Sequence, residues 1–149
     1  MRTGNGAAAI ADLDRLIRVV ERLAYVPRKV AVIAAPKLTA LVQREFRTGT
    51  DPYGRPWRPL KASTLAKGRR PPPLSDTRRL RDGTGAVVTR SGIRLTVGAA
   101  YGVFHQYGFR VGRVKVGPRK VLPGHGMPAS WKAVLDESSR MAARRAVSG

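Results

Sequence analysis

The sequence predicts an α+β domain, with helices at both ends of the chain and a small antiparallel sheet with an inserted short helix between them. Near both ends, apolar residues recur every three or four positions, as on one face of a helix. Between residues 86 and 116 they alternate with polar residues, as in half-buried strands. A chain of 149 residues is expected to fold as a single domain, residues 1–149.

Three long helices are predicted. Residues 1–7 are expected to be a disordered tail, and the first helix starts at about Ala8 and ends or kinks at Pro27. In the second, Pro36 is expected to introduce a kink or to start a fresh helix, and Gly49 is a suitable C-terminal stop. The apolar faces comprise Ile10, Leu13, Leu16, Ile17, Val20 and Leu23 in the first helix; Val30, Ile33, Ala34, Leu38, Leu41, Val42 and Phe46 in the second; and Trp131, Val134, Leu135 and Met141 in the last.

A stiff arm is predicted at residues 51–60. Asp51-Pro52-Tyr53-Gly54 fits a type I turn, because aspartate can bond its own backbone, proline pre-sets φ and glycine suits the fourth position. Prolines at positions 56 and 59 keep the following residues extended. We expect Trp57 and Leu60 to anchor this arm to the core.

A basic, proline-rich loop is predicted at residues 61–73, where Lys67-Gly68-Arg69-Arg70 precedes three prolines. Leu74-Ser75-Asp76-Thr77 then resembles a helix start, with Ser75 or Asp76 as N-cap and a short turn through Leu80. The cations here could neutralise phosphates, or they could belong to a solvated loop. The candidates for contact with DNA or a partner are Lys67, Arg69, Arg70, Arg78, Arg79 and Arg81.

Strands are predicted at residues 86–90 and 93–97, joined by a tight turn at Ser91-Gly92, with Gly98 ending the second. A third strand is expected around Val111, Val114 and Val116. Between them, Tyr101-Gly102-Val103-Phe104-His105-Gln106-Tyr107-Gly108 forms an aromatic segment that suits a short helix stopped by glycine. We expect Tyr101, Phe104 and Tyr107 to anchor this helix to the sheet and the arm.

The net charge of +20, from 29 Lys and Arg against 9 Asp and Glu, points to a polyanion or an acidic protein as partner. A lineage bias towards arginine would also raise the charge. No recognition-helix, zinc-finger or RNA-binding signature accompanies it, so we expect at most sequence-independent contact with DNA. No stretch approaches the length of a membrane span. The charged residues near the start of the sequence do not suit the apolar core of a signal peptide, so we expect the chain to be made and used in a cytoplasm.

Catalysis and metal binding have little support in the sequence. The chain has no cysteine, and its only histidines, His105 and His125, are interpreted as a packed structural residue and a solvated loop residue. The acids are scattered, and no glycine-rich stretch has the spacing of a nucleotide loop. Trp57 and Trp131 are interpreted as core or subunit-interface anchors instead of base-stacking residues. We therefore expect a non-enzymatic protein without cofactor or metal.

Over residues 46–122 the order of these motifs resembles the phage virion morphogenesis (tail-completion) family of Mu-like and P2-like phages. The resemblance rests on a helical N-terminus ending in Phe46, residues 51–60, residues 74–82, the hairpin ending Thr96-Val97-Gly98, residues 101–108 and Pro118-Arg119. Arg79 stands where the family often has glycine, and residues 117–122 lack the proline and phenylalanine common after the arginine.

The resemblance implies a structural virion protein of the neck or tail that acts at head–tail joining as a ring. The implied partners are further copies of the chain and other neck or tail proteins, namely connector, tail terminator or tail tube, with packaged DNA as a possible contact and no membrane. It would be assembled in the host cytoplasm and reside in the virion. The alternative from the residues alone is a free-standing, sequence-independent nucleic-acid-binding protein.

Overall fold

The structure, a computed structural model, describes residues 4–69, 73, 78–99 and 102–149. The predicted N-cap at Ser75 or Asp76 lies outside the described residues. The α+β class is confirmed, with long helices at both ends and short strands between them. In chain order the elements are α1 Gly4–Ala24, α2 Arg28–Thr48, α3 Ala62–Ala66, α4 Arg79–Gly83, β1 Gly85–Val88, β2 Ile93–Thr96, α5 Gly102–Tyr107, β3 Phe109–Val111, β4 Val114–Val116 and α6 Ala129–Ser148.

Helix α2 forms the centre of the molecule. It packs against α6 on one side and β1 on another. Its predicted apolar face lies in the core, where Leu38 and Val42 are fully buried and Trp131 of α6 is equally inaccessible to solvent. The helix ends as expected at Gly49, which adopts a left-handed conformation with φ 68° and donates its amide to the Glu45 carbonyl.

One helix runs from Arg28 to Thr48 through Pro36, so the expected fresh helix start is wrong, while the expected kink stays a prediction. Pro36 is exposed, and so is Val32, whose carbonyl would otherwise accept the missing amide. Water can bond that carbonyl on the exposed side of the helix. Packing of the opposite face against the core then outweighs the local cost of the proline.

Helix α1 also departs from the sequence pattern. It begins at Gly4, so residues 4–7 are helical and not a disordered tail, in keeping with the high helix propensity of Ala7–Ala9. Val19 and Leu23 are buried against the body. The remainder of the predicted apolar face is not in the core: four of its members are exposed, namely Ile10, Leu13, Ile17 and Val20.

The strands form two separate two-stranded antiparallel sheets among the described residues, where the sequence analysis expected one sheet. The first pairs β1 with β2, with Ala86 opposite Leu95. The second pairs β3 with β4 around Gly112-Arg113, so the predicted third strand is in fact a hairpin. Thr39 of α2 joins the first hairpin to the core, since its hydroxyl accepts from the Ala86 amide at 2.9 Å and donates to the Ala86 carbonyl at 3.1 Å.

One short helix lies within the predicted basic loop and a second follows it. Helix α3 lies within residues 61–73, where only irregular chain was expected, and at five residues it is too short to show a periodic pattern. Helix α4 follows at residues 79–83, where a short turn was predicted to reach Leu80. Leu80 is buried and brings α4 into the core.

Gly98 is required for the packing of α4 against the end of the first hairpin. A Cβ at Gly98 would collide with the backbone carbonyls of Arg79 and Leu80 and with the Cα of Gly83. Gly98→Ala should therefore lower the free energy of unfolding by about 1–3 kcal/mol, measured by urea denaturation. Gly6→Ala is the matched control, because a Cβ there meets open space in a helix. Equal stability of Gly98→Ala and the wild type would show that this contact is absent.

Candidate functional site

The arm, residues 51–60, begins with the predicted turn. The Gly54 amide donates to the Asp51 carbonyl at 3.0 Å, and one Asp51 carboxylate oxygen accepts from the amides of Tyr53 and Arg55, both at 2.9 Å. The chain then returns to α2, where the Trp57 amide donates to the Gly49 carbonyl at 2.7 Å. The arm is consequently a fixed extension of the end of α2.

Trp57 lies in the core, with 5% of its surface exposed. Its ring meets Phe46 edge to face, with centroids 5.6 Å apart. Its indole N–H donates to the Lys120 carbonyl at 2.8 Å. Without this bond, the indole nitrogen would be buried without a hydrogen-bond partner. Leu60, the other predicted anchor of the arm, is only half-buried.

Residues 118–126, the connecting segment, lie against the arm and are joined to it by hydrogen bonds. Arg119 donates from Nε to the Arg58 carbonyl at 2.9 Å and from Nη2 to the Pro59 carbonyl at 3.2 Å. The Tyr53 hydroxyl donates to the Gly126 carbonyl at 2.6 Å and accepts from the His125 amide at 2.7 Å. The arm and the connecting segment thus form one unit without regular strand pairing.

Gln106 joins the aromatic segment to the other side of the connecting segment. Its side chain is buried, its Oε1 accepts from the amides of Val121 and Leu122 at 2.9 Å each, and its Nε2 donates to the Leu122 carbonyl at 2.8 Å. The Gln106 side chain thereby bonds the backbone of Val121 and Leu122 as a neighbouring strand would. This role of Gln106 was not predicted. The sequence feature that could have indicated it is a polar residue inside an aromatic segment that ends in glycine.

The aromatic segment does not anchor the molecule in the way the sequence predicted. Phe104 is 55% exposed and meets Phe109 edge to face at 5.9 Å, so it is no core anchor. Tyr107 is half-buried, and burial raises its pKa. Tyr101 lies outside the described residues. His105 is half-buried; burial and the charge of Arg119 lower its pKa.

Four of the six predicted contact residues lie on the surface. Lys67, Arg69, Arg78 and Arg79 are exposed, whereas Arg81 is partly buried and its Nε donates to the Asp82 carboxylate at 2.8 Å. Arg70 lies outside the described residues. The structure therefore brings cations to the surface immediately after α3, immediately before α4 and at the start of α4.

Arg78 has an unusual backbone. With φ 59°, it is the one non-glycine residue with positive φ within the described ranges. A left-handed conformation costs an arginine about 1–2 kcal/mol relative to glycine. Strain of this kind is commonly retained where a side chain has a task. The conformation marks Arg78 as the strongest candidate among the predicted contact residues.

A cleft of about 450 Å³ lies where the end of α2, the turn of the arm and the start of α6 meet. Its lining includes two carboxyl residues, Glu45 and Asp51. Glu45 is only 6% exposed, and its Oε2 has no hydrogen-bond partner. Burial, reinforced by the charge of Asp51, raises the pKa of Glu45 to about 9, so the group is protonated at neutral pH.

A second polar cluster holds α1 against the connecting segment. The Asp12 carboxylate pairs with Lys120 and lies 3.3 Å from Nδ1 of His125, and Lys120 Nζ is 3.0 Å from His125 Nε2. Burial alone would raise the pKa of Asp12, but Lys120, His125 and Arg15 hold it below its ordinary value. In the described part of the chain, no group of three or more acidic or histidine residues is arranged to hold a metal ion.

The fold and these surfaces define a small, strongly basic α+β protein with a rigid arm and an exposed set of cations. The chain belongs to the phage virion morphogenesis family, whose model matches residues 8–146. The match extends beyond residues 46–122, on which the resemblance rested. Membership indicates a virion-associated protein with a structural role in assembly. No curated protein and no solved structure matches the chain. No described helix is long and apolar enough to cross a membrane.

Trp57 and Phe104 should differ sharply in their effect on stability. Trp57→Ala should lower the free energy of unfolding by about 3–5 kcal/mol, because it leaves a cavity beside Phe46 and an unpaired Lys120 carbonyl. Phe104→Ala should cost less than about 1 kcal/mol, since the side chain is mostly exposed. Denaturant unfolding of both variants measures the difference. If Trp57→Ala unfolded at the same denaturant concentration as the wild type, Trp57 would not be a core residue.

The buried Glu45 carboxyl should make stability depend on pH. Above its ordinary value of 4.5 the unfolded chain releases this proton, whereas the folded chain keeps it up to about pH 9. Between these values the contribution of Glu45 to the free energy of unfolding falls with rising pH, by at most about 1.4 kcal/mol per pH unit. Glu45→Gln should remove this slope, so that its stability relative to the wild type rises with pH in denaturation experiments. Parallel pH profiles would show that Glu45 is ionised in the fold.

Proposed function

We propose that this protein is a tail-completion or neck component that acts at head–tail joining as a ring-forming oligomer. The observation that carries the proposal is a set of exposed cations, Lys67, Arg78 and Arg79, in a chain of the phage virion morphogenesis family; Arg78 also has a strained backbone. A surface of this kind suits an acidic neighbour or DNA in a channel. In a ring, each copy would present the same cations towards one axis or one neighbouring layer.

The rigid arm supports an assembly role. It is held by backbone bonds to the end of α2 and by side-chain bonds to the connecting segment, so its shape exists before any partner arrives. Binding to a prepared surface avoids the entropy cost of ordering a loop. The partners proposed are further copies of the chain and a connector, tail-terminator or tail-tube protein.

Free-standing nucleic-acid binding is the second candidate, and the charge of +20 favours it. If the protein acts in this way, it should bind short duplex DNA, and the binding should weaken steeply as the salt concentration rises. Under this alternative, removal of any exposed cations should weaken binding to a similar degree. Under head–tail joining, Lys67, Arg78 and Arg79 should matter more than cations elsewhere.

Joining of phage particles tests the proposal directly. A phage lacking this gene should accumulate separate filled heads and tails, visible by electron microscopy, and purified protein added to the lysate should restore infectious particles. The triple variant Lys67→Gln, Arg78→Asn, Arg79→Gln should restore at least about tenfold fewer infectious particles, because loss of three cations weakens the contact with an acidic partner. Asparagine tolerates the left-handed backbone at position 78.

The matched control is a second triple variant, Arg140→Gln, Arg144→Gln, Arg145→Gln, which removes the same charge from the exposed end of α6. It should restore joining as the wild type does. Complete particles from the gene-deleted phage would refute the proposal. Equal defects in both triple variants, with equal loss of DNA binding, would favour the nucleic-acid-binding alternative.

A further inference from the structure

Helix α1 carries a continuous apolar stripe that faces away from its own body. The exposed fractions are 63% for Ile10, 43% for Leu13, 44% for Ile17 and 38% for Val20. The spacings of three, four and three residues are those of positions a and d in a heptad repeat. We call these four residues the α1 seam.

The described residues of the body do not bury the α1 seam. Helix α1 is attached through Val19 and Leu23, which are buried, and through the Asp12 pair with Lys120. Those residues lie on the face next to the seam, so the helix has one apolar face inside and another outside. Large aliphatic side chains left contiguous on a surface commonly mark a binding site.

Charges along one edge of the seam restrict what can bind there. With Ile10 at position a, both e positions are acidic, Asp14 and Glu21, and both are exposed. The g positions, Leu16 and Leu23, border the opposite edge, where Leu23 is fully buried in the body. Helix α1 holds three acids and three arginines and is therefore neutral in a chain of net charge +20.

A second α1 helix fits the seam poorly. In a parallel pair, position e of one helix faces position g of the other, and here one g residue is buried in its own body. In an antiparallel pair, e faces e, so Asp14 and Glu21 would meet the same acids of the other copy. Like charges at facing positions destabilise the pair.

We propose that the α1 seam is the docking site for an amphipathic helix of a different protein, with apolar a and d positions and Lys or Arg opposite Asp14 and Glu21. The cations would pair with the two acids while the aliphatic residues of both helices interdigitate. This inference is independent of head–tail joining, because it uses only the exposure and charge of α1.

Two designed peptides, each as long as α1, test the proposal against the full-length protein. Both carry leucine at a and d; one has lysine at e and g, the other glutamate. The charge of +20 alone favours the glutamate peptide. The α1 seam predicts the reverse, with the lysine peptide bound at least about tenfold more tightly, a difference of about 1.4 kcal/mol. Fluorescence anisotropy at about 150 mM salt measures both affinities, where long-range attraction is screened.

Three variants locate the site. Ile17→Glu should abolish binding of the lysine peptide, and the double variant Asp14→Lys, Glu21→Lys should reverse the preference between the peptides. Val147→Glu is the control, since Val147 is an exposed aliphatic residue on α6 outside the seam, and it should bind as the wild type does. Circular dichroism establishes that each variant is folded.

Three results would overturn the proposal. Preference of the wild type for the glutamate peptide would mean that net charge governs binding. Absence of binding to both peptides would mean that the seam accepts no helix of this type. Self-association in sedimentation experiments that Ile17→Glu abolishes would make the seam a contact between copies of this chain.

Discussion

The connecting segment, residues 118–126, has no regular secondary structure, yet three parts of the molecule are positioned by it. The arm is bonded to it through Trp57, Tyr53 and Arg119, the aromatic segment through Gln106, and α1 through Asp12. Each of these bonds joins a side chain to a backbone group or to another side chain. A short loop without strand pairing therefore helps to position the arm, the aromatic segment and α1.

This arrangement explains how a chain with so much glycine and proline keeps a defined surface. Buried amides and carbonyls must be paired, and here polar side chains supply the partners that a sheet would otherwise provide. Gln106 satisfies three backbone groups at once, and the indole of Trp57 satisfies a fourth. Preorganisation and charge are then separate properties. The connecting segment fixes the arm, while the exposed cations lie between α3 and α4 and at the start of α4.

Sequence patterns predicted the α+β class, α2, α6, the first hairpin and the turn of the arm, because each leaves a local signal in periodicity, glycine or proline. The second hairpin was missed because its strands have three residues each, too few to distinguish two strands from one. Pro36 does not interrupt α2, since core packing outweighs the local cost of the proline. Gln106 and Glu45 could not be assigned from sequence, because burial of a lone polar side chain has no periodic signature. For α1 the sequence predicted an apolar face, but periodicity alone does not say what covers such a face.

The contacts that attach α1 to the body are distributed unevenly along the helix. Apart from Asp12, its named contacts with the body lie in the C-terminal half of the helix, around Val19, Leu23 and the turn at Gly92. Segments held by few buried contacts open at a lower free energy than the core. The N-terminal half of α1, where Asp12 makes the named contacts, should thus open more readily than α2 and α6. A partner that binds there could capture the chain early, before the more rigid surfaces have met their own neighbours.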